Sequence, residues 1–310
     1  MRRLVRTAVL PAALAVIAVA VSLTGCSAGG DDGRRSIVVT TNILGDITRS
    51  VVGAEAEVTV LMPANADPHS FGISAPQAAA IERADLIVHN GLGLEENVLR
   101  HVDAAAEAGV PVFAAGAAVD PIDYGTDETA GSPDPHFWTD PERVHRAVGL
   151  IANQITKHVD GVDATAVRAG ADRYRKEIAE LTQWMRKSFG EIPVARRNLV
   201  TNHHVFGYLA QRFGFRVIGA VIPSGTTLAS PSASDLKSLV TAVDRAGVRA
   251  VFADSSQPDR LAQVLKRESE RDIRVIPLFS ESLTEKGGGA GTYLDMMRAN
   301  TRSIVAGLAP

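Results

Sequence analysis

The sequence contains very little cysteine: Cys26 is the only one among 310 residues. A single cysteine excludes an internal disulfide and a thiolate metal cluster, so any bound metal must be held by nitrogen and oxygen atoms. An excess of positive charge is also missing, since 32 basic residues stand against 35 acidic ones and the formal net charge is −3. We therefore expect no nucleic-acid partner, because nucleic-acid binding depends on clustered lysine and arginine.

The composition also lacks the bias of a disordered chain. Hydrophobic residues make up 45% and charged residues 22% of the sequence, which is ordinary for a globular protein. The sequence contains no internal repeat and no long low-complexity segment. At about 150 residues per domain, the length predicts two domains.

The first 25 residues have the pattern of an export signal. Residues 1–6 read MRRLVR, and residues 7–25 carry no charge but are interrupted by Pro11, which argues against a transmembrane helix. The segment ends in LTGC at residues 23–26, which resembles the lipobox of bacterial lipoproteins, whose cysteine is lipidated. We predict a signal peptide over residues 1–25, lipid attachment at Cys26 and a flexible tether over residues 26–36. The alternative is an ordinary cleaved signal peptide with an incidental cysteine.

After the tether, short β-branched runs alternate with stretches that are long enough for helices. This alternation predicts parallel sheets covered by helices, and the runs fall into two series. The first series lies at residues 37–40, 58–62, 86–88 and 110–113, and the second at 199–201, 216–221, 250–253 and 274–278. We therefore predict an α/β fold with two parallel-sheet lobes, over residues 37–160 and 191–310.

A long helix is predicted between the two series. Apolar residues recur there every three or four positions, which places one apolar stripe along a helix: Tyr174, Ile178, Leu181, Met185 and Phe189. We interpret residues 161–190 as a rigid connector of the lobes, the alternative being a surface helix of one larger domain. A second helix start is indicated at Ser232, where Asp235 completes a capping-box pattern.

Three of the eight histidines lie where strand, loop and helix signals meet. His69 stands in ADPHSFGISAPQ, His136 in PDPHFWTDP and His203 in TNHHVFGYLAQRFG. Asp-Pro precedes the first two, so each imidazole is presented from a stiff turn. The separations are too long for a local metal motif, and taken alone each histidine is more often a capping, packing or solvated residue than a ligand.

Several motifs together resemble a known family. They are DPHSF around His69, the NG-x-G-x-E pattern at residues 90–95, DPH-x-W-x-DP around His136, H-x-x-FGYLA from His203, the PSA step at residue 231 and TYLDMMRAN from residue 292. In this order they resemble the cluster A-I substrate-binding proteins of ABC transporters, the zinc and manganese receptors of bacteria. The resemblance covers the chain from Ile37 onward. It implies two α/β lobes joined by one long helix, with the metal held in the cleft between them.

The resemblance also implies a ligand set. The first and second histidines of the family match His69 and His136, and the third ligand matches His203, with the adjacent His204 as the alternative and otherwise a neighbour of the site. The fourth ligand is usually an aspartate after the final strand. It aligns with Glu281, a longer side chain, and Glu285 is a weaker candidate.

Two further residues have predicted supporting roles. Trp138 is expected to pack against His136 and restrict its ring, and Glu95 to make structural hydrogen bonds at a helix start. The alternative for Trp138 is a platform on which a substrate stacks, and the alternative for Glu95 is an acid catalyst.

The chemistry of this ligand set favours Zn(II). Three imidazoles and one carboxylate suit a tetrahedral zinc site, whereas Mn(II) prefers more oxygen ligands and a higher coordination number. Against zinc, residues 123–133 lack the His- and acid-rich loop that many zinc receptors of the family carry. Mn(II), or iron, remains the alternative cargo.

The predicted function is that of an extracytoplasmic zinc receptor, lipid-anchored on the bacterial cell membrane and monomeric. Because the chain has no Walker motif, its partners would be an ABC permease and a cytoplasmic ATPase. A secreted zinc hydrolase is an alternative if the metal keeps an open position, and a surface adhesin is another. Since histidines must be neutral to bind, we expect metal affinity to fall as the pH drops toward and below about 6.5.

Overall fold

The computed structural model describes residues 35–125 and 130–310. Within the chain, Arg34–Pro310 form one compact unit. The predicted signal peptide, Cys26 and most of the predicted tether lie outside the described residues. The last tether residue, Ser36, already begins the first strand, and its backbone N–H donates to Asp85 at 2.7 Å.

The first half of the unit is built on a four-stranded parallel sheet, here the first sheet, in the order β2-β1-β3-β4. Its strands are β1 (Ser36–Val39), β2 (Glu57–Val60), β3 (Leu86–His89) and β4 (Val112–Ala114). The helices of this half are α1 (Asn42–Val52), α2 (Ala75–Glu82), α3 (Leu99–Glu107) and α4 (Pro141–His158). β1 and β3 are central and almost fully buried, as expected for apolar strands covered on both faces.

The second half repeats this topology. Its four-stranded parallel sheet, the second sheet, has the order β6-β5-β7-β8. The strands are β5 (Asn198–Thr201), β6 (Arg216–Ala220), β7 (Ala250–Asp254) and β8 (Arg274–Leu278). The helices are α6 (Gly207–Phe213), α7 (Ala233–Ala246), α8 (Arg260–Glu268) and α9 (Tyr293–Leu308).

One long helix, α5 (Ala164–Gly190), lies between the two halves in the chain. Asp163 caps its start by accepting the backbone N–H groups of Thr165 and Ala166. The five residues of the predicted apolar stripe are all buried on it. They join the largest core cluster, which also contains side chains of α1, α4 and α9, so this helix packs on elements of both halves.

The predicted fold class, two parallel-sheet α/β lobes joined by a long helix, is confirmed. Each predicted β run coincides with a strand to within two residues, and Ser232 and Asp235 form the predicted capping box at α7. In the described part of the chain, no helix combines the length and apolar character needed to cross a bilayer.

Candidate metal centre

Four predicted ligands come together where strands of both sheets end. His69 follows β2 and His136 lies between β4 and α4, whereas His203 follows β5 and Glu281 follows β8. In parallel α/β sheets, loops at the carboxyl ends of strands form the ligand-binding crevice. The four side chains are at most 2% exposed, and one potential ligand atom from each lies within 4.8 Å of the others.

The three imidazoles approach the centre through Nε2. The Nε2 atoms of His69 and His136 are 3.4 Å apart, and Nε2 of His203 lies 3.2 Å from Oε1 of Glu281. The same Glu281 oxygen is 3.7 Å from Nε2 of His136, and its Oε2 is 3.9 Å from Nε2 of His69. A tetrahedron with metal–ligand bonds of about 2.0–2.1 Å has edges of about 3.3 Å, so these separations match the size of a four-coordinate site.

The centre also contains buried polar atoms that lack a partner. Both carboxylate oxygens of Glu281 and Nε2 of His203 accept or donate no hydrogen bond within the described residues. Buried polar atoms are normally paired, because leaving one unpaired costs about 1–3 kcal/mol. A cation held by these atoms would satisfy them, so the donor set fits a metal ion.

Burial lowers the pKa of two of the histidines, His69 and His203, and keeps them neutral. It lowers the pKa of His69 to about 2, with the neighbouring His136 and His203 adding to the effect. Burial likewise lowers the pKa of His203 to about 4, although Asp254 and Asp67 act in the opposite direction. Two of the three imidazoles are therefore ready to bind a cation at neutral pH without losing a proton.

The pKa of Glu281 is shifted in the opposite direction, upward. Burial raises the pKa of its carboxyl to about 8, and the charges of Asp254, Asp67 and Asp134 raise it further, against the lowering effect of His136. Without a cation this carboxyl is largely protonated at pH 7. Binding of a cation then requires the loss of this proton, so Glu281 controls affinity near neutral pH more than His69 and His203 do.

Two aspartates shape the loops that carry the first two histidines. Oδ1 of Asp134 accepts both the backbone N–H of His136, at 2.9 Å, and its ring Nδ1, at 2.7 Å. Oδ1 of Asp67 accepts the backbone N–H of His69 at 3.0 Å. Because a carboxylate can only accept, the His136 contact places the proton on Nδ1 and leaves Nε2 free to bind a cation.

Trp138 connects the two halves at the centre. Its ring lies 5.3 Å from that of His136, centroid to centroid, in an edge-on arrangement. Its Nε1–H donates to the carbonyl of Ser280, next to Glu281, at 2.8 Å, and its own carbonyl accepts from the hydroxyl of Tyr293 at 3.0 Å. The indole thus packs on His136 and also ties that turn to the loop of Glu281.

Glu95 stabilises the turn that carries His136 indirectly, through Asn90. Its carboxylate accepts the Thr40 hydroxyl and the backbone N–H of Asn90, each at 2.6 Å, and the backbone N–H of Gly91 at 3.1 Å. The side-chain amide of Asn90 then donates to the carbonyl of Pro135 at 2.9 Å. Glu95 therefore has the structural role that its position in the NG-x-G-x-E pattern predicts.

The two alternative ligands are located elsewhere. His204 is 8% exposed, its ring lies 6.4 Å from that of Tyr124, centroid to centroid, with the two planes tilted by 57°, and its backbone N–H donates to the carbonyl of Ser224. Glu285 is exposed in the loop before α9. The structure thus brings His203 and Glu281 to the centre, and neither His204 nor Glu285 joins the group of four in the described part of the chain.

Sequence reasoning missed several residues around the centre. Asp254, at the end of β7, accepts the hydroxyls of Ser256 and Ser280. Asp67 accepts from Thr227 and Gln257 across the two halves. The only local signal was the aspartate two positions before each of His69 and His136, which is typical of a side chain that accepts backbone N–H groups two residues on. The contacts between distant segments had no such signal.

Comparison with known proteins gives one family. Residues 37–307 match the family model described as zinc-uptake complex component A, periplasmic.

Similar curated proteins include two named manganese-binding lipoprotein MntA. The one from Bacillus subtilis is 30% identical over 310 residues, with 95% of this chain and 97% of the relative covered. The one from Halalkalibacterium halodurans is 26% identical over 299 residues, with 95% and 97% covered.

A solved structure shows the same fold. The periplasmic zinc-binding protein TroA from Treponema pallidum superposes with a TM-score of 0.82 at 25% sequence identity. The match covers 89% of this chain and all of that one.

Proposed function

Since the chain belongs to the zinc-uptake complex component A family, the substrate-binding receptors of metal ABC importers, we propose that it captures Zn(II) outside the cytoplasm and delivers it to a membrane permease. The resemblance recognised in the motifs is confirmed by this membership. So is the prediction that the chain is a receptor and not an enzyme. An ABC importer implies a permease and an ATPase as partners.

The set of ligand atoms at the centre is the main support for zinc. Three imidazole nitrogens from His69, His136 and His203 meet one carboxylate, that of Glu281, and all four side chains are buried. Nitrogen-rich four-coordinate sites suit Zn(II), and zinc precedes manganese in affinity for a given nitrogen site. A receptor selective for manganese would need extra oxygen ligands. The nearby carboxylates of Asp67, Asp134 and Asp254 are instead occupied by hydrogen bonds.

Manganese is the second candidate cargo. Its support is the name of the two MntA relatives, which are manganese-binding lipoproteins. Glu281 could serve this role if both of its oxygens bound the ion, because bidentate binding would raise the coordination number to five.

We further propose that the mature protein is a monomer anchored by lipid at Cys26 on the extracytoplasmic face of the membrane. The support is the LTGC sequence at residues 23–26 and the lipoprotein names of the relatives. Labelling cells with a radioactive fatty acid tests the anchor: wild-type protein should carry label, and a Cys26→Ala variant should not. Label retained by Cys26→Ala would exclude this cysteine as the attachment site.

The experiment that tests the proposed cargo uses a soluble form that begins at residue 27 and so contains the whole compact unit. Metal-free protein is exposed to equal concentrations of Zn(II) and Mn(II), and the retained metal is measured by mass spectrometry. The proposal expects one zinc per chain and a zinc dissociation constant lower than that for manganese. Preferential retention of manganese would contradict it.

A further inference from the structure

We propose that Asp67, Thr227 and Gln257 form a clasp between the two halves of the molecule that holds His69 in place and sets how long the metal stays bound. This inference rests on the proposed function, since it concerns the residence time of the captured ion. The three residues are called the clasp below.

The clasp joins three separate loops. Asp67 is 7% exposed and lies two residues before His69, after β2 of the first sheet. Its Oδ2 accepts the hydroxyl of Thr227 at 2.5 Å and the side-chain amide of Gln257 at 3.0 Å. Thr227 follows β6 and Gln257 follows β7, so both donors come from the second half of the molecule.

The aspartates of the two Asp-Pro-His turns make different side-chain hydrogen bonds. In both turns the aspartate Oδ1 accepts the backbone N–H of the histidine two residues on. In the second turn the same Asp134 oxygen also accepts Nδ1 of the His136 ring. In the first turn Oδ1 completes the local turn, and Oδ2 of Asp67 is left for its own loop, through Ser70, and for the clasp.

Among the described residues, the ring of His69 lacks the side-chain acceptor that orients the ring of His136. Nδ1 of His69 is buried and has no hydrogen-bond partner among the described residues, whereas Nδ1 of His136 is held by Asp134. A ligating histidine normally donates its other ring N–H to a fixed acceptor, which sets the orientation of the ring. Without such an acceptor, the position of His69 depends on the backbone of its loop. The clasp attaches that loop to the second half, which supplies His203 and Glu281, together with one backbone hydrogen bond from Asn65 N–H to the Leu283 carbonyl at 2.9 Å.

The two donor segments can move without breaking a sheet. Thr227 and Gln257 lie in loops and are half-buried, and Leu228, next to Thr227, is 51% exposed. Opening the clasp therefore breaks no sheet, and it removes two of the hydrogen bonds that hold the His69 loop against the second half. We expect the clasp to oppose metal dissociation and to leave the rate of metal entry almost unchanged.

The test measures zinc dissociation from the soluble chain that begins at residue 27, with an excess of a chelator that traps released metal. Thr227→Val, which removes the hydroxyl at nearly constant shape, and Gln257→Leu should each raise the dissociation rate about 10-fold or more. The association rate should change less than about two-fold. Thr227→Ser, which keeps the hydroxyl, should restore the slow rate.

Matched controls carry the same substitutions on surface pairs away from the centre. Gln263→Leu removes an amide that donates to Asp259 at 2.8 Å within α8, and Thr241→Val removes a hydroxyl that donates to the Lys237 carbonyl at 3.0 Å within α7. Both should release zinc at the wild-type rate. Thermal unfolding of each metal-free variant confirms that it is folded, and if Thr227→Val is not, Gln257→Leu decides the test.

A double-mutant cycle separates the clasp from a general loss of structure. If Thr227 acts through Asp67, then Asp67→Ala combined with Thr227→Val should release zinc no faster than Asp67→Ala alone. Wild-type dissociation rates in Thr227→Val and Gln257→Leu would overturn the clasp while leaving the proposed function intact. A wild-type protein that retains neither Zn(II) nor Mn(II) would overturn both.

Discussion

Nδ1 of the His136 ring lies 2.7 Å from Oδ1 of Asp134, and this contact determines which nitrogen faces the metal centre. The carboxylate holds the proton on Nδ1, so the lone pair of Nε2 points to the position that His69, His203 and Glu281 surround. One carboxylate thus selects the tautomer of a ligand and restricts its rotation.

Replacing Asp134 should weaken metal binding without removing any ligand. In Asp134→Ala the His136 ring loses its acceptor, and zinc affinity should fall about 10- to 100-fold, as is usual when such a hydrogen bond is removed. Titration against a competing chelator measures this loss. Asp103→Ala, an exposed aspartate of α3, is the control and should bind zinc like the wild type. Equal affinity in the two variants would show that Asp134 does not position His136.

Substitution of Gly207, which follows His203 in the chain, should also lower zinc affinity. A Cβ atom at Gly207 would lie 2.8 Å from Oδ2 of Asp134, closer than side-chain contacts allow. Gly207→Ala should therefore displace Asp134 and lower zinc affinity, whereas alanine at Gly149, where a Cβ meets nothing within 4 Å, should not. The same chelator competition compares the two. Unchanged binding in Gly207→Ala would mean that Asp134 can move without affecting His136.

The indole N–H of Trp138 should contribute to affinity separately from its ring. Trp138→Phe keeps an aromatic ring beside His136 but leaves the Ser280 carbonyl without its donor, a loss of about 1–3 kcal/mol if that carbonyl stays buried. We expect weaker zinc binding and a lower unfolding temperature of the metal-free protein. Calorimetry with and without zinc measures both quantities. A variant that matches the wild type in both would reduce Trp138 to a packing residue.

The pH dependence of zinc affinity should follow Glu281. Its carboxyl has a pKa of about 8 in the metal-free protein and must lose its proton to bind. Affinity should therefore rise about tenfold per pH unit up to about pH 8 and level off above it. Calorimetry at pH 7 in buffers of different ionisation enthalpy should detect about one proton released per zinc, and no release from Glu281→Gln.

This result would modify the pH dependence predicted from the sequence, which placed the decline near the ordinary histidine pKa of about 6.5. The pKa values of His69 and His203, about 2 and about 4, lie well below that value. An affinity that is constant from pH 7 to 8 and falls only below about 6.5 would favour histidine control over Glu281.

The same histidines make the metal-free fold sensitive to acid. In the unfolded chain His69 and His203 take up protons near pH 6.5, whereas in the folded chain they do so only near 2 and 4. At these two histidines the unfolded state therefore binds more protons below pH 6.5, and their contribution to stability is lost as the pH falls through that range. Glu281, whose pKa is raised to about 8 in the folded chain, acts in the opposite direction and offsets part of the loss from the two histidines. Urea unfolding of the metal-free protein at pH 7 and pH 5 should show this loss. It should be smaller in His69→Gln, in which the buried imidazole is absent.

The strands and the long helix could be predicted because their signals are local. Each strand is a β-branched run, and the stripe on α5 repeats every three or four residues. The stiff Asp-Pro-His turns were visible for the same reason. Motif order then added the family, and with it the pairing of His69 and His136 with two residues more than 60 positions further along the chain.

The rest of the site depends on tertiary packing. His203 and His204 are adjacent, and only the path of the chain after β5 determines that the first faces the centre and the second lies beside Tyr124. Glu281 and Glu285 are four residues apart in one loop, and the fold buries Glu281 and leaves Glu285 exposed. The partners of Asp67 lie 160 and 190 positions away, where no sequence pattern indicates a contact.

We propose that this chain is a zinc receptor with His203 among the ligands. The most direct test is the metal content and zinc dissociation constant of the soluble chain beginning at residue 27, beside His203→Ala and His204→Ala. We expect one zinc per chain in the wild type and in His204→Ala, with much weaker binding in His203→Ala. Manganese retained in preference to zinc, or unchanged zinc binding in His203→Ala, would contradict it.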